Sequence, residues 1–289
     1  MPRISVNGVT LAYEILGIGP PVVWTPGSWW PRNDWCYLYA GRFAPRYSAV
    51  LWDRRNTGAS DIGIVNAPSE FHLWTDDLHQ LLTALDLAPA YIAGISAGHI
   101  FALLMAHRYP QDVKGLILLN TPTEAADMLA PLMDAHYFQP ASVARSAGMQ
   151  AVIEHSRQAW LRLILRQSET ENFDWRLIWI AETIAANPDN ERRLLAMEPE
   201  IFAPILEEWG TWCLAGSHFS GLTDDQISAI GVPALVAHGY DEAHPRRTAE
   251  ALQRLLPNAE WVEYAERWNQ AELAQAQAAD AVYRSQAVL

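Results

Sequence analysis

The segment GISAG at residues 94–98 constrains the fold of this chain more than any other stretch, because it matches G-x-S-x-G and lies between two apolar runs. Residues 91–93 indicate the end of a buried strand, and residues 100–106 indicate a buried helix. Ser96 is therefore predicted at a tight strand-to-helix turn. The two glycines allow such a turn without Cβ clashes and leave the serine hydroxyl at a helix N-terminus.

Strand and helix patterns alternate on both sides of this turn. The dipeptide Asn7-Gly8 predicts a hairpin over residues 3–16, and residues 69–87 predict a helix with Ser69 as its N-cap. Further buried strands are predicted at 21–25, 49–53 and 116–119. The alternation favours a parallel sheet with right-handed crossovers, and such sheets place their sites at the carboxyl ends of the strands.

Three segments together resemble the α/β-hydrolase superfamily: the GISAG turn, PGS at 26–28, and DRRNTGAS at 53–60. The superfamily usually has His-Gly-x at the second segment and D-x-R-G-x-G-x-S at the third, so Pro26 and Asn56 are departures. Asparagine is the next-best residue to glycine at a left-handed position, so the 53–60 loop is expected to keep its turn and a structural role. The resemblance implies an α/β fold with a mostly parallel sheet and helices on both faces.

The resemblance also implies an oxyanion hole built from two backbone N–H groups. Ser28 would supply one donor and Ala97, directly after the serine of the turn, would supply the other. The proline at 26 is tolerable because the donor required is a backbone group. The residues expected to border the substrate pocket are Gly27, Trp29, Trp30, His218 and Asn269.

Strand patterns stop between residues 123 and 227. The segments 156–165, 172–186 and 198–212 are helical in pattern and rich in tryptophan. The resemblance implies a helical cap inserted after the sixth strand. We therefore predict a core of residues 1–122 and 228–289 and a cap of residues 123–227; an independent helical domain is less favoured, because the strand pattern returns immediately afterwards.

The returning strand, predicted at 233–238, is followed by Asp241 and then by Pro245. The resemblance implies that Asp241 is the acid of a catalytic triad; a helix-capping aspartate is the alternative, and Glu124 is a less favoured acid. The superfamily places its histidine after the last strand, predicted at 260–264. This chain has no histidine beyond residue 244, and Asn269 stands at or near that position.

An asparagine does not titrate, so it cannot replace the base that activates a serine. His244 is the best substitute, because it lies three residues past Asp241 on a loop expected to border the pocket; the alternative is that it only caps the following helix. His99 and His218 are weaker candidates, since sequence spacing does not fix contacts between distant segments.

Composition excludes several classes of partner and cofactor. The net charge is -13, Lys114 is the single lysine and no basic run occurs, which argues against nucleic acid or an anionic membrane as partner. Cys36 and Cys213 form no metal or redox motif, and no metal cluster, phosphate loop or dinucleotide fingerprint is present, so we expect no metal and no cofactor. Without an apolar leader or an apolar run long enough to span a membrane, a cytoplasmic location is expected. The oligomeric state stays open, with a homodimer as one option.

Three functions are consistent with these patterns. The first is a serine hydrolase with Ser96, Asp241 and His244, acting on a small apolar or aromatic ester, a lactone, or a carbon–carbon bond beside a ketone. The second is a lyase, decarboxylase or cyclase that uses the same oxyanion hole without hydrolysis. The third is a ligand-binding protein that has lost catalysis. The missing C-terminal histidine favours the second and third, and the intact serine turn and acid favour the first.

Overall fold

An eight-stranded sheet forms the centre of the molecule in the computed structural model, which describes residues 1–27, 29–32, 34–122, 126–164, 178–215, 221–239 and 241–263. The strand order is β1-β2-β4-β3-β5-β6-β7-β8. The strands are β1 Arg3–Val6, β2 Val9–Leu16, β3 Pro21–Thr25, β4 Ser48–Trp52, β5 Ala90–Ile95, β6 Val113–Leu119, β7 Ala234–Ala237 and β8 Ala259–Trp261.

Among the described strands of this sheet, β2 alone runs opposite to the others. β1 pairs with β2 and β2 with β4 in antiparallel register, whereas all pairs from β4 to β8 are parallel. The predicted hairpin turn is confirmed: Asn7 has φ 46° and Gly8 has φ 75°, the two positive angles that a tight two-residue turn requires. Together these strands confirm the predicted mostly parallel sheet.

Helices cover both faces of the sheet. The helices with bounds in the described residues are α1 Asp34–Phe43, α2 Glu70–Ala84, α3 Gly98–Arg108, α4 Ala126–Met133, α5 Gln139–Ile164, α6 Trp179–Ala186, α7 Asp189–Leu195, α8 Pro199–Leu214, α9 Asp224–Ser228 and α10 Arg246–Leu255. A π-helix, Asp134–Phe138, joins α4 to α5, and α5 is interrupted at Gly148, where φ is 82°.

Alternate side chains of the central strands enter separate apolar layers. Val22 and Trp24 of β3 pack with α1, whereas Val23 packs in the layer that contains α2 and α3. Both layers are buried, so the strands are apolar on both faces, as parallel strands covered by helices usually are.

The predicted start of α2 is confirmed in detail. Ser69 has an extended backbone, and its hydroxyl accepts a hydrogen bond from the His72 amide at 3.3 Å. This serine therefore satisfies one of the amide groups that the first turn of a helix leaves without an intrahelical partner.

The 53–60 loop is buried and connected to the core. Asn56 has φ 64°, the left-handed conformation predicted for it, and Arg55 donates from Nε to Asp77 of α2 at 2.6 Å. Because Arg55 and Asp77 are both buried, this pair joins the loop to α2 away from water.

The helices from α4 to α8 follow the sixth strand, as predicted for an inserted cap. α5 packs against α6, α7 and α8, and the π-helix packs against α8. The cap and its limits 123 and 227 remain predictions; α9 crosses the limit at 227 and contacts α3 and α10. Residues 165–177 and 216–220, and the tail from 264 onward, lie outside the described residues. Within the described part of the chain, no helix is long and apolar enough to cross a membrane.

Candidate active site

Ser96 occupies a strained turn between β5 and α3. Its φ is 52°, a left-handed conformation that costs a residue with a side chain about 1–2 kcal/mol. The Ser96 amide donates to the carbonyl of Leu119 at 2.9 Å, which fixes the turn to the end of β6. The serine hydroxyl is thereby held at the carboxyl edge of the sheet, where the sequence predicted it.

The glycines of the turn are required by close packing. A Cβ on Gly98 would lie 2.6 Å from the carbonyl oxygen of Thr25, and a Cβ on Gly94 would overlap the backbone of Gly98. Gly27 faces the serine itself, because a Cβ there would lie 2.7 Å from Cβ of Ser96. The end of β3, the turn and the start of α3 therefore touch through backbone atoms.

The predicted oxyanion donors are only partly located. The Ala97 amide lies directly after Ser96, and within the described residues it donates to no protein acceptor. Ser28 lies outside the described residues. Its neighbours Gly27 and Trp29 are described: Gly27 contacts Ser96, and Trp29 is buried.

A histidine lies within hydrogen-bond distance of the Ser96 hydroxyl. The Nε2 atom of His244 is 2.8 Å from Oγ of Ser96, and its Nδ1 atom is 2.8 Å from Oδ1 of Asp241. An ionised carboxylate can only accept, so Nδ1 carries the proton and Nε2 is left to accept from the serine hydroxyl. The structure thus brings together the three residues that sequence analysis singled out, in the order acid, imidazole, serine.

His244 does not cap the helix that follows it. α10 begins after Pro245 and has no side-chain cap. The 241–244 turn is instead closed by Asp241, whose Oδ1 also accepts from the His244 amide at 2.8 Å. Gly239 packs directly on Cβ of His244, so the imidazole is held from both sides of the loop.

The acid of this arrangement is more exposed than its imidazole. The side chain of Asp241 is 65% exposed, and that of His244 is 20% exposed. Water therefore screens the attraction between the carboxylate and the ring. Asp241 orients the ring chiefly through hydrogen-bond geometry.

Glu263 joins the two ends of the loop that carries Asp241 and His244. Its carboxylate lies 3.4 Å from Nε2 of His238, before the loop, and 3.1 Å from a guanidinium nitrogen of Arg246, after it. Trp261 also donates to it at 2.8 Å, and that hydrogen bond is the main cause that lowers the pKa of Glu263. Sequence analysis missed this residue, because no local pattern connects positions 238, 246 and 263.

A second carboxylate that the sequence analysis did not name lies in the core beside Trp29, in the loop that follows β3. Glu70, the first residue of α2, is buried and accepts at Oε2 from Nε1 of Trp29 and the hydroxyl of Tyr137, each at 2.8 Å. Its Oε1 accepts from Asn56 at 2.7 Å. Burial raises the pKa of Glu70, and these three donors oppose that effect. In the sequence, Glu70 directly follows the N-cap Ser69, a position where an acidic residue commonly complements the helix dipole.

Of the alternatives considered for the base and the acid, only His99 lies within the described residues. His99 is buried, and its Nδ1 atom is 3.0 Å from the backbone oxygen of Ser96, not from the hydroxyl. His218 and Asn269 lie outside the described residues, as does Glu124. Among the residues that the structure describes, no group of three or more metal-ligating side chains occurs.

Comparison with known families places this site in context. The family model described as the alpha/beta hydrolase fold matches residues 26–267, a span that includes Ser96, Asp241 and His244. The chain belongs to the α/β-hydrolase fold family. This membership confirms the resemblance and the fold predicted from sequence.

Relatives of this chain carry hydrolase names. RutD of Azorhizobium caulinodans, whose name assigns it provisionally to the carbamate hydrolases, is 24% identical over 265 residues, which cover 90% of this chain and 88% of RutD. YraK of Bacillus subtilis strain 168, an uncharacterized hydrolase, is 27% identical over 114 residues; this match covers 39% of this chain and 42% of YraK. The predicted class of enzyme agrees with these names.

Solved structures show the same fold at low identity. Est816, described as an N-acyl homoserine lactone degrading enzyme, superposes with a TM-score of 0.58 at 21% identity, covering 98% of this chain and 99% of Est816. The enol-lactonase from Burkholderia xenovorans LB400 superposes with a TM-score of 0.57 at 21% identity, and the match covers 98% of this chain and 97% of the enol-lactonase. At this identity the likeness establishes the fold alone.

Proposed function

We propose that this α/β-hydrolase is a serine hydrolase with Ser96 as nucleophile, His244 as general base and Asp241 as the acid that orients it. The observation that supports this most directly is the 2.8 Å separation of His244 Nε2 and Ser96 Oγ, with the opposite ring nitrogen on Asp241. A base must lie within about 3 Å of the proton that it removes, and this imidazole does.

The chemistry follows from these positions. Ser96 Oγ attacks the substrate carbonyl while its proton passes to Nε2 of His244, and the carbonyl oxygen becomes an oxyanion stabilised by the Ala97 amide and, in this proposal, by the Ser28 amide. The tetrahedral intermediate collapses as His244 returns the proton to the leaving group. A water molecule then attacks the acyl-enzyme by the same route, and the acid product and the free serine result. No metal or cofactor takes part in this proposal.

The relatives favour a small-molecule substrate in which a carbonyl carries a heteroatom leaving group. RutD is named provisionally as a carbamate hydrolase, and Est816 and the Burkholderia enol-lactonase are described as acting on lactones. Aromatic rings beside the oxyanion loop favour an apolar or aromatic acyl group: Trp29 lies 4.2 Å from the ring of His136, which lies 4.9 Å from that of Trp179. We therefore propose an ester or lactone, in preference to the non-hydrolytic and ligand-binding alternatives, because an imidazole lies within hydrogen-bond distance of the serine hydroxyl.

Labelling with a serine-directed fluorophosphonate, combined with a chromogenic ester assay, tests this proposal. The wild type, Ser96→Ala and His244→Gln are compared, with Ser146→Ala and His107→Gln as matched controls on exposed helix positions. We expect rapid labelling of wild type and both controls, a probe adduct on the peptide that contains Ser96, and loss of labelling and turnover in the two site variants. Labelling at another residue, or full turnover by His244→Gln, would contradict the assignment.

A further inference from the structure

The backbone that follows the proposed oxyanion donor Ser28 is anchored by buried charged groups. Arg54 donates to the carbonyl of Trp30 at 2.7 Å, and Asp53 accepts from the Arg32 amide at 2.9 Å. Arg54 and Asp53 are almost wholly inaccessible to water. A buried charge costs free energy unless it is well paired. The hydrogen bonds from Arg54 and to Asp53 therefore fix the backbone conformation of residues 30–32.

Trp29 is the member of this loop adjacent to Ser28, and its indole N–H is bound by Glu70 at 2.8 Å. A glutamate at the first turn of a helix often serves only to complement the helix dipole. Glu70 differs from that case, because its side chain is 2% exposed and makes its hydrogen bonds to side chains of other elements. Ser69 already caps α2.

Asn56 supports Glu70 in a way that glycine could not. Its Oδ1 accepts from the Gly63 amide at 2.8 Å, which fixes the amide orientation and directs Nδ2 at Glu70. Asn56 stands where the superfamily pattern has glycine, and it keeps the left-handed conformation. The departure from the pattern therefore adds a donor to Glu70.

The helical segment after β6 reaches the same carboxylate through its π-helix. Tyr137 donates its hydroxyl to Oε2 of Glu70 at 2.8 Å, and the neighbouring His136 packs on the ring of Trp29 with centroids 4.2 Å apart. Single π-turns occur frequently at functional sites, because they turn two successive side chains out of helical register. Here both side chains contact the Trp29–Glu70 pair.

We infer that Glu70 is a positioning residue for the proposed oxyanion hole: it holds Trp29, which follows the proposed donor Ser28 in the sequence, and Tyr137 connects the Trp29–Glu70 pair to the predicted cap. This inference rests on the proposed serine hydrolase function. A misplacement of about 1 Å can cost a catalytic group about 100-fold in rate, so we expect a shift of Trp29 to impair a donor on the residue that precedes it.

Conservative variants test this role; Glu70→Gln and Tyr137→Phe keep the apolar volume, whereas Trp29→Phe also removes part of a buried ring. Tyr137→Phe and Trp29→Phe each remove one donor to Glu70, and Glu70→Gln replaces an acceptor oxygen by a donor NH₂ group. Tyr109→Phe is the matched control, because Tyr109 donates to Asp76 on the same helix at 2.7 Å but lies away from the oxyanion loop. For each variant we would measure kcat and KM with a chromogenic ester, the Ki of a trifluoromethyl ketone, and Tm.

Impaired oxyanion stabilisation has a characteristic signature. We expect kcat to fall about 10- to 100-fold in Glu70→Gln and about 3- to 10-fold in Tyr137→Phe and Trp29→Phe, with KM changed less than about threefold. The Ki of the ketone, which mimics the tetrahedral intermediate, should rise by about the factor by which kcat/KM falls. Tyr109→Phe should retain wild-type kinetics.

Two outcomes would overturn the inference and are distinguishable from failure of the proposed function. If Tyr137→Phe and Trp29→Phe fold and keep kcat and Ki within about twofold of wild type while Ser96→Ala is inactive, the positioning role alone is wrong. A lower Tm with unchanged kinetics would reduce Glu70 to a structural residue and would overturn the positioning role in the same way. A wild type that neither hydrolyses esters nor reacts with the fluorophosphonate would overturn the proposed function and this inference together.

Discussion

His244 and Ser96 are 148 positions apart in the sequence, yet Nε2 of the first lies 2.8 Å from Oγ of the second. The imidazole comes from the loop between β7 and α10, the same loop that carries its carboxylate partner Asp241. The superfamily pattern instead takes the histidine from beyond the last strand. In this chain one short loop supplies both groups.

If Ser96 and His244 act as one unit, their substitutions should not be additive. We expect Ser96→Ala and His244→Gln each to lower kcat by about 10⁴- to 10⁶-fold, and the double variant to be little slower than either. Pre-steady-state and steady-state kinetics of ester hydrolysis measure kcat for the two single variants and the double variant. Effects that multiply in the double variant would indicate that the two side chains serve separate steps.

Asp241→Asn should have a smaller effect than removal of a buried triad acid. The Asp241 side chain is 65% exposed, so water screens its charge and part of its role is to close the 241–244 turn, which asparagine can also do. We expect a loss in kcat well below the roughly 10⁴-fold that a buried aspartate contributes. The same ester assay measures it, and a loss as large as that of His244→Gln would show that screening is unimportant here.

Gly27→Ala should impair activity more than stability. Its Cβ would lie 2.7 Å from Cβ and 3.2 Å from Oγ of Ser96, so the serine or the end of β3 must move. We expect kcat to fall by about tenfold or more, and the free energy of unfolding to fall by less than about 3 kcal/mol. Urea unfolding and ester kinetics on the same sample test this.

Gly41→Ala is the control for that experiment. Gly41 lies in α1 with open space where a Cβ would be, so alanine should leave kinetics unchanged and stabilise the fold by about 0.5–1 kcal/mol. An equal loss of activity in both variants would mean that the effect at residue 27 does not come from contact with Ser96.

Acid should destabilise the fold partly through His72. Burial is the main cause that lowers the pKa of His72 from 6.5 to about 4. Between these two values the unfolded chain binds a proton that the folded chain does not, so the stabilisation is present above pH 6.5 and is lost as the pH falls towards 4. His72→Gln should therefore lose less free energy of unfolding than wild type between about pH 7 and about pH 4.5. His107→Gln, at an exposed position of α3, should follow the wild-type curve.

Much of the fold could be predicted from sequence because its signals are local. The hairpin at Asn7-Gly8, the N-cap Ser69 and the left-handed Asn56 each follow from the conformational preference of one or two residues. Ser96 could be located for the same reason, since the flanking glycines and apolar runs fix its turn.

The groups that complete the site depend on contacts between distant segments. Nothing in the sequence decides whether His244 caps α10 or turns towards Ser96; the packing of Gly239 and the hydrogen bond to Asp241 do. Glu70 resembled an ordinary helix-start acid, and only the folded chain brings Trp29 and Tyr137 to it. The sequence therefore predicts the backbone turns of the site but not the hydrogen bonds between its side chains.

The Asp241–His244 turn also has a modular character. Because acid and base are separated by two residues and held by hydrogen bonds within one turn, a four-residue segment contains the whole proton-transfer pair. This segment could be transplanted as a unit onto the equivalent loop of a relative whose own C-terminal histidine has been removed. In the usual arrangement the acid and the histidine lie on two separate loops, so two grafts would be needed. If His244 is the base, as proposed, no residue beyond β8 is needed to supply it.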